Sequence, residues 1–148
     1  MFNYCLVSYL SALLIGQGLK PFIMYFKIHK FDFKYAFSSG GYPSSHSAGA
    51  TALATSILIQ EGINSTYFAI SFVLALIVIY DSFNVRWYAG RNIVLTKQLV
   101  KDLKSQIDIN KPIYNEELKE VLGHNKSEII SGIFLGILLP IVIYLIWR

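Results

Sequence analysis

The chain has 148 residues, a length typical of one domain, and its composition is 54% hydrophobic with only 15% charged residues. The mean hydropathy of +0.48 lies on the apolar side of the range for soluble domains, and the apolar residues fall in blocks. These features indicate an integral membrane protein. The net charge of +4 is too diffuse to indicate nucleic acid as a partner, and a single cysteine excludes an internal disulfide.

Four stretches are predicted to cross the bilayer as helices, each near the roughly 17–25 residues that a span requires. Their approximate limits are 1–26, 44–60, 66–85 and 129–147. The second is rich in Ala, Ser, Thr and Gly, a composition typical of close helix contact rather than lipid exposure. The fourth carries Gly132 and Gly136, a small-xxx-small pair that predicts tight packing against a neighbouring helix.

The sequence therefore predicts an all-α fold, a single membrane domain of about four transmembrane helices with a helical insertion at about 91–123. Within this interfacial or cytosolic insertion, Leu95, Leu99 and Leu103 recur every four residues, and lysines lie elsewhere around the helix. Such a helix could lie flat on an anionic membrane surface, or it could be a solvated cap on the bundle.

The basic residues are distributed unevenly between the two faces that these spans would create. Twelve of the thirteen lysines and arginines fall in the first and third connections, and only Arg148 falls on the other face. By the positive-inside rule, the basic face is predicted to be cytoplasmic and both termini to lie outside.

The segment 40–47, GGYPSSHS, immediately precedes the body of the second span. Its glycines, including Gly41, allow a tight turn with positive φ, and Ser44 and Ser45 stand where a helix would begin. The unpaired N–H groups and the dipole at such a helix start suit a phosphate. His46 could exchange a proton with a bound phosphate ester there. The plain alternative is a serine-rich N-cap with an incidental histidine.

An up-and-down four-helix bundle would bring three further polar clusters to the same end as His46. These clusters are Lys20 with Lys27, Asp81 with Arg86, and His124 with Glu128. The cations and helix-start amides would hold a phosphate dianion, while one histidine attacks phosphorus and the other protonates the leaving oxygen. Glu128 follows His124 by four residues and could orient its ring.

Each cluster also has a structural interpretation. Lys27 could be an interfacial anchor whose ammonium group reaches the lipid headgroups. Asp81 could pair with Arg86 or with a lysine rather than act directly. Glu128 could form a capping box with Asn125 at the start of the last helix.

With these motifs in place, the chain resembles the type 2 phosphatidic acid phosphatase superfamily, which also includes the vanadium-dependent haloperoxidases. It is most similar to a small divergent branch of bacterial and plastid membrane proteins, through GG-x-PSSHSA, D-x4-VR-x3-G and LGH-x3-E. The superfamily signature K-x6-RP, PSGH and SR-x5-H-x3-D has counterparts here in Lys20 and Lys27, the segment 43–46, Arg86, and His124 with Glu128.

The sequence departs from that signature at several positions. Lys27 stands in place of an arginine, so the paired N–H groups with which a guanidinium binds two phosphate oxygens are absent. Ser45 stands in place of a glycine. Glu128 replaces an aspartate. Between Arg86 and His124 there are 37 residues where the signature has five, so their meeting depends on how the insertion folds.

The resemblance implies a lipid phosphatase of the bacterial cytoplasmic membrane that works through phosphohistidine. It makes His124 the nucleophile, Glu128 its orienting carboxylate and His46 the proton donor. The phosphate-binding residues would be Lys20, Lys27, Ser44, Ser45 and Arg86, supported by Asp81 and Gly41. It implies no cofactor and no metal, because cations and amides neutralise the charge.

The expected partners are the lipid bilayer and a lipid substrate such as phosphatidate, phosphatidylglycerol phosphate or a polyprenyl diphosphate. The second hypothesis is a non-catalytic membrane protein that binds anionic lipid headgroups through the same basic face. Haloperoxidase chemistry with vanadate is disfavoured, because it requires a fuller cradle of arginines and usually a soluble scaffold. The sequence predicts no particular oligomeric state.

Overall fold

A computed structural model describes residues 3–29, 31–37, 40–103 and 126–147. The described residues form helices and no strand. In chain order the elements are α1 (Tyr4–Ile28), a 3-10 helix (Phe33–Phe37), α2 (Ser45–Glu61), α3 (Thr66–Tyr80), a π turn (Asp81–Val85), α4 (Arg86–Asp102) and α5 (Lys126–Trp147).

Three helical stretches are long and apolar enough to cross a membrane, namely Tyr4–Phe26, Thr66–Asp102 and Lys126–Ile146. The second of them is one continuous helix composed of α3, the π turn and α4. The 17-residue helix α2 is shorter and packs against α1, α3 and α5. The protein is thus an all-helical membrane bundle, as the composition and the apolar blocks predicted.

The central helix α2 is built from small residues. Its nine buried residues are all Ala, Ser, Gly or Thr. Within a membrane, helices gain little from hydrophobic contact with one another, because lipid is equally apolar, so association depends on close van der Waals packing. Small side chains let the neighbouring backbones approach α2 closely, which explains why this short helix occupies the middle of the bundle.

A close backbone contact joins α5 to α2 through two glycines. A Cβ atom built on Gly132 would lie 2.5 Å from the carbonyl oxygen of Ser44. A Cβ on Gly136 would overlap the carbonyl oxygen of Ala48 and lie 2.7 Å from the Cβ of Thr51. The small-xxx-small pair therefore packs directly on the backbone of a neighbour, as predicted.

Hydrogen bonds at the two ends of the bundle define its antiparallel order. At one end the Tyr4 hydroxyl donates to the carbonyl oxygen of Pro140 at 2.7 Å, which joins the start of α1 to the later part of α5. At the other end the Ser44 N–H donates to the carbonyl oxygen of Glu128 at 2.9 Å. The starts of α2 and α5 therefore lie together, at the end where α1 and α3 finish.

The third span does not end in a loop. The π turn leads directly into α4, so the helix continues through 86–90, between the predicted span and the predicted insertion. None of the residues of α4 is buried. The rest of the insertion lies outside the described residues, and both interpretations of it, a membrane-surface helix or a solvated cap, stay predictions.

The glycine packing predicts a stability difference between two Gly→Ala substitutions on helices. Gly136→Ala is expected to destabilise the protein by about 1–3 kcal/mol, because the methyl group must push α5 away from α2. Gly18→Ala is the matched control, since a Cβ there meets nothing within 4 Å. It should leave stability unchanged or raise it by up to about 1 kcal/mol through helix propensity.

Thermal unfolding in detergent, followed by circular dichroism, measures both variants. A midpoint for Gly136→Ala equal to that of Gly18→Ala would show that the two helices are not in backbone contact.

Candidate functional site

The predicted phosphate loop forms a capped helix start. Gly41 adopts a φ of +104°, the left-handed region that favours glycine, as predicted from the sequence. Ser44 is the N-cap of α2, and its Oγ accepts a hydrogen bond from the Ser47 N–H at 3.4 Å. The Ser44 and Ser47 hydroxyls also lie 2.9 Å apart and share a hydrogen bond. This local network holds the first turn of α2 in one conformation.

The first turn of α2 has an interior side and an accessible side. Ser44, Ser45 and Ser47 are buried, whereas His46 is exposed. The N–H groups of Ser45 and His46 have no acceptor within the helix, because the first turn of any α-helix lacks one. These amides stand at the positive end of the helix dipole, beside the accessible imidazole.

Lys20 is the charged residue buried most deeply next to this turn. It lies within the first span with only 2% of its surface exposed, and it interacts electrostatically with Glu128. An ammonium group in a membrane interior requires an anionic partner. Glu128 stands in the first turn of α5, where its carbonyl oxygen accepts the Ser44 N–H. Lys20 and Glu128 therefore both belong to the group around the α2 start.

Gln17 is a site residue that the sequence analysis missed. The Ser45 hydroxyl donates a hydrogen bond to Oε1 of Gln17, which lies one turn before Lys20 on α1. Gly16 makes room for this contact, since a Cβ there would lie 3.2 Å from the Cα of Ser45. An amide side chain in an apolar span, one turn from a lysine, was the signal that could have identified Gln17.

The Gln17 contact changes what Ser45 can offer to an anion. A serine hydroxyl has one proton to donate, and here Gln17 accepts it. Phosphate oxygens are acceptors, so the group of Ser45 that remains available to a phosphate is its backbone N–H. The predicted role of the Ser45 side chain is thus limited in this conformation.

The π turn holds Arg86 against Asp81. Nε of Arg86 lies 2.7 Å from Oδ2 of Asp81, and the Arg86 N–H donates to the Asp81 carbonyl oxygen five residues earlier. In a regular α-helix, side chains five residues apart point about 140° away from each other. The wider π turn brings them to one side. The sequence-based alternative, in which Asp81 pairs with Arg86, is confirmed.

His46 lies within electrostatic range of Lys20, Arg86 and Asp81. The structure thus brings together most of the predicted site: Gly41, Ser44 and Ser45 with His46, and Lys20, Asp81, Arg86 and Glu128. His124 and the side chain of Lys27 lie outside the described residues. The meeting of the two imidazoles therefore stays a prediction.

The charged groups assembled here suit an anion. The site holds two cations, Lys20, which lies in the field of Glu128, and Arg86, which pairs with Asp81. Together with the helix-start amides they supply hydrogen-bond donors of the kind that bind phosphate oxygens.

Comparison with known proteins identifies the family. The family model described as "Divergent PAP2 family" matches residues 1–139. The chain belongs to this family. It is also 36% identical over 148 residues to "Uncharacterized membrane protein YuiD" of Bacillus subtilis (strain 168), covering 95% of this chain and 94% of that protein. No solved structure matches the chain significantly. The resemblance drawn from the motifs is thereby confirmed.

The contact between Ser45 and Gln17 predicts energetic coupling in this divergent PAP2 protein. Ser45→Ala and Gln17→Ala should each lower stability, because each leaves a polar partner unsatisfied in the bundle. The double variant should lose less than the sum, by about 1 kcal/mol. Gln98→Ala is a matched control, since its amide contacts Asp102 on an exposed helix face.

Thermal or denaturant unfolding in detergent gives the four stabilities of this cycle. Strict additivity of the two substitutions would contradict a direct Ser45–Gln17 hydrogen bond.

Proposed function

We propose that the protein hydrolyses a phosphomonoester or pyrophosphate carried by a membrane lipid, through a phosphohistidine intermediate. The observation that carries this proposal is the grouping of Lys20, Arg86 and the exposed His46 around the start of α2. Membership of the divergent PAP2 family supports the same chemistry.

Phosphate binding would use donors from three elements of the bundle. The N–H groups of Ser45 and His46 point from the helix start, and Lys20 contributes an ammonium group from α1. Arg86 keeps its terminal guanidinium nitrogens for the phosphate, because Nε is the atom held by Asp81. The pair with Asp81 orients the guanidinium before the substrate arrives, which reduces the ordering cost of binding.

In the proposed reaction His124 attacks phosphorus and the bond to the leaving lipid oxygen breaks, while His46 donates a proton to that oxygen. Water then attacks the phosphohistidine and gives up a proton to His46, and inorganic phosphate leaves with His124 regenerated. Glu128, four residues after His124, would accept a hydrogen bond from the second ring nitrogen and hold the tautomer that attacks. Lys20 and Arg86 stabilise the charge that develops on the phosphoryl oxygens.

The position of the site at one end of the bundle fits a lipid substrate. The acyl or prenyl chain can remain beside the apolar helices while the phosphate reaches the cations. We further propose that this end faces the cytoplasm of a bacterial cell, since the basic residues are concentrated in the connections on this side.

Phosphate release from a panel of lipid phosphates in mixed micelles tests the proposal. His124→Ala and His46→Ala should each lower kcat by about 10²–10⁴-fold, the usual contribution of such groups. Lys20→Gln should also lower kcat/KM strongly. Lys101→Gln is the matched control, because Lys101 is exposed on α4 and lies outside the site.

Acid-labile radioactive phosphate should remain on the denatured wild-type protein and be absent from His124→Ala. Absence of hydrolysis with every lipid phosphate, or full activity of His124→Ala, would refute the proposed reaction.

A second candidate function is the binding of anionic lipid headgroups without turnover. The replacement of the signature arginine by Lys27 favours it, since a lysine lacks the paired N–H groups with which a guanidinium binds two phosphoryl oxygens. In that case wild-type protein would bind lipid phosphate in the same micelles, Lys20→Gln would weaken the binding, and no phosphate would be released.

A further inference from the structure

One side of α1 forms a stripe that faces lipid. Leu10, Leu14, Gly18 and Phe22 recur every four residues within the span Tyr4–Phe26. Leu10, Leu14 and Phe22 are 51%, 67% and 56% exposed, and a Cβ at Gly18 would meet nothing within 4 Å. The described part of the chain leaves most of this stripe uncovered, so in a membrane-spanning helix it contacts acyl chains.

The connection after α1 folds back onto that lipid-facing stripe. The ring of Phe31 packs edge-to-face on the ring of Phe22, with the centroids 5.7 Å apart. Phe22 lies one helical turn before the span ends at Phe26. The 3-10 helix that follows packs against α1, with Ala36 as its buried residue. The connection therefore returns toward the bilayer instead of extending away from it.

The outer side of this connection is made of phenylalanine rings. Phe33 and Phe37 are 64% and 81% exposed, and they pack edge-to-face with each other at 5.9 Å. Phe31 is also exposed, and these three rings are named here the phenylalanine surface. Large aromatic rings grouped in this way are costly in water and are typical of surfaces that contact a partner or a membrane.

Polar groups within the same segment set its depth. The Lys34 N–H donates to Oδ1 of Asp32 at 2.9 Å, and the Tyr35 N–H donates to the Asp32 carbonyl oxygen at 3.2 Å. These bonds satisfy part of the local backbone. The charged side chains of Asp32 and Lys34 prevent this segment from lying at the hydrocarbon centre of the bilayer. They are compatible with the headgroup region, where a lysine can bind lipid phosphates.

We propose that the phenylalanine surface inserts into the bilayer at the boundary between headgroups and acyl chains, as an interfacial anchor of the α1–α2 connection. Its partner is the lipid bilayer, because the surface continues the lipid-facing stripe of α1 through the contact of Phe31 with Phe22. Lys20 precedes Phe22 by two residues, about 3 Å along the helix axis. The anchor therefore holds the candidate site close to the boundary between headgroups and acyl chains, whether or not the site is catalytic.

Tryptophan fluorescence in vesicles tests the anchor. The two natural tryptophans are first replaced by Trp87→Phe and Trp147→Phe, and Phe33→Trp then supplies a single probe. The full-length protein is reconstituted into phosphatidylcholine–phosphatidylglycerol vesicles that contain lipids brominated at shallow or deep acyl positions. Leu14→Trp on the lipid-facing stripe is the control for a deep position, and Phe37→Trp reads the same surface if Phe33→Trp does not fold.

The anchor predicts blue-shifted emission from the Phe33→Trp probe, with stronger quenching by shallow than by deep bromines. The Leu14→Trp control should show the opposite depth preference. Quenching by aqueous iodide without quenching by brominated lipid would overturn the proposal, because the surface would then face water. Blue-shifted emission that neither quencher reduces would also overturn it, since a second copy or another part of the chain would cover the rings.

Discussion

The bundle depends on the direct contact between the backbones of α2 and α5. Gly132 and Gly136 remove the side chains that would separate them, so that α5 lies on the carbonyl groups of Ser44 and Ala48. This contact also sets the register of the two helix starts, because the Ser44 N–H meets the Glu128 carbonyl oxygen. A membrane offers little hydrophobic force to bring helices together, so this geometric fit carries much of the assembly. The same fit places a carboxylate beside the helix that carries His46.

Charge balance explains how such a polar group persists in a membrane bundle. Lys20 is almost completely buried, and an isolated ammonium group there would be strongly unfavourable. Glu128 offsets its charge, as Asp81 offsets that of Arg86. The Asp81–Arg86 pair is more than a third exposed, so water screens it and it contributes less to stability than a buried pair would. In the proposed function, a phosphate dianion would enter a site in which Asp81 already orients the Arg86 guanidinium.

Two local features of the site, the π turn and the hydrogen bond from Ser45 to Gln17, depend on residues particular to this sequence. The π turn gives Arg86 a direction that an uninterrupted α-helix would not provide, because it aligns residues five apart. Gln17 accepts the proton of Ser45, a residue that stands where the wider superfamily has glycine. The adjacent Gly16 leaves space for the extra side chain. The additional hydroxyl is therefore accommodated within the bundle rather than left unsatisfied beside the helix start.

Several properties were readable from the order of the residues because they depend on local chemistry. The apolar blocks identified a membrane protein. The glycine at position 41 predicted a positive φ, and the spacing of Gly132 and Gly136 predicted a close helix contact. The clustered motifs identified the family. The small residues of α2 also predicted its close helix contacts, whereas the π turn and the partnership of Ser45 with Gln17 could not be deduced in this way. They arise from contacts between segments far apart in the chain, and from a helix register that depends on how those segments pack, which no local pattern specifies.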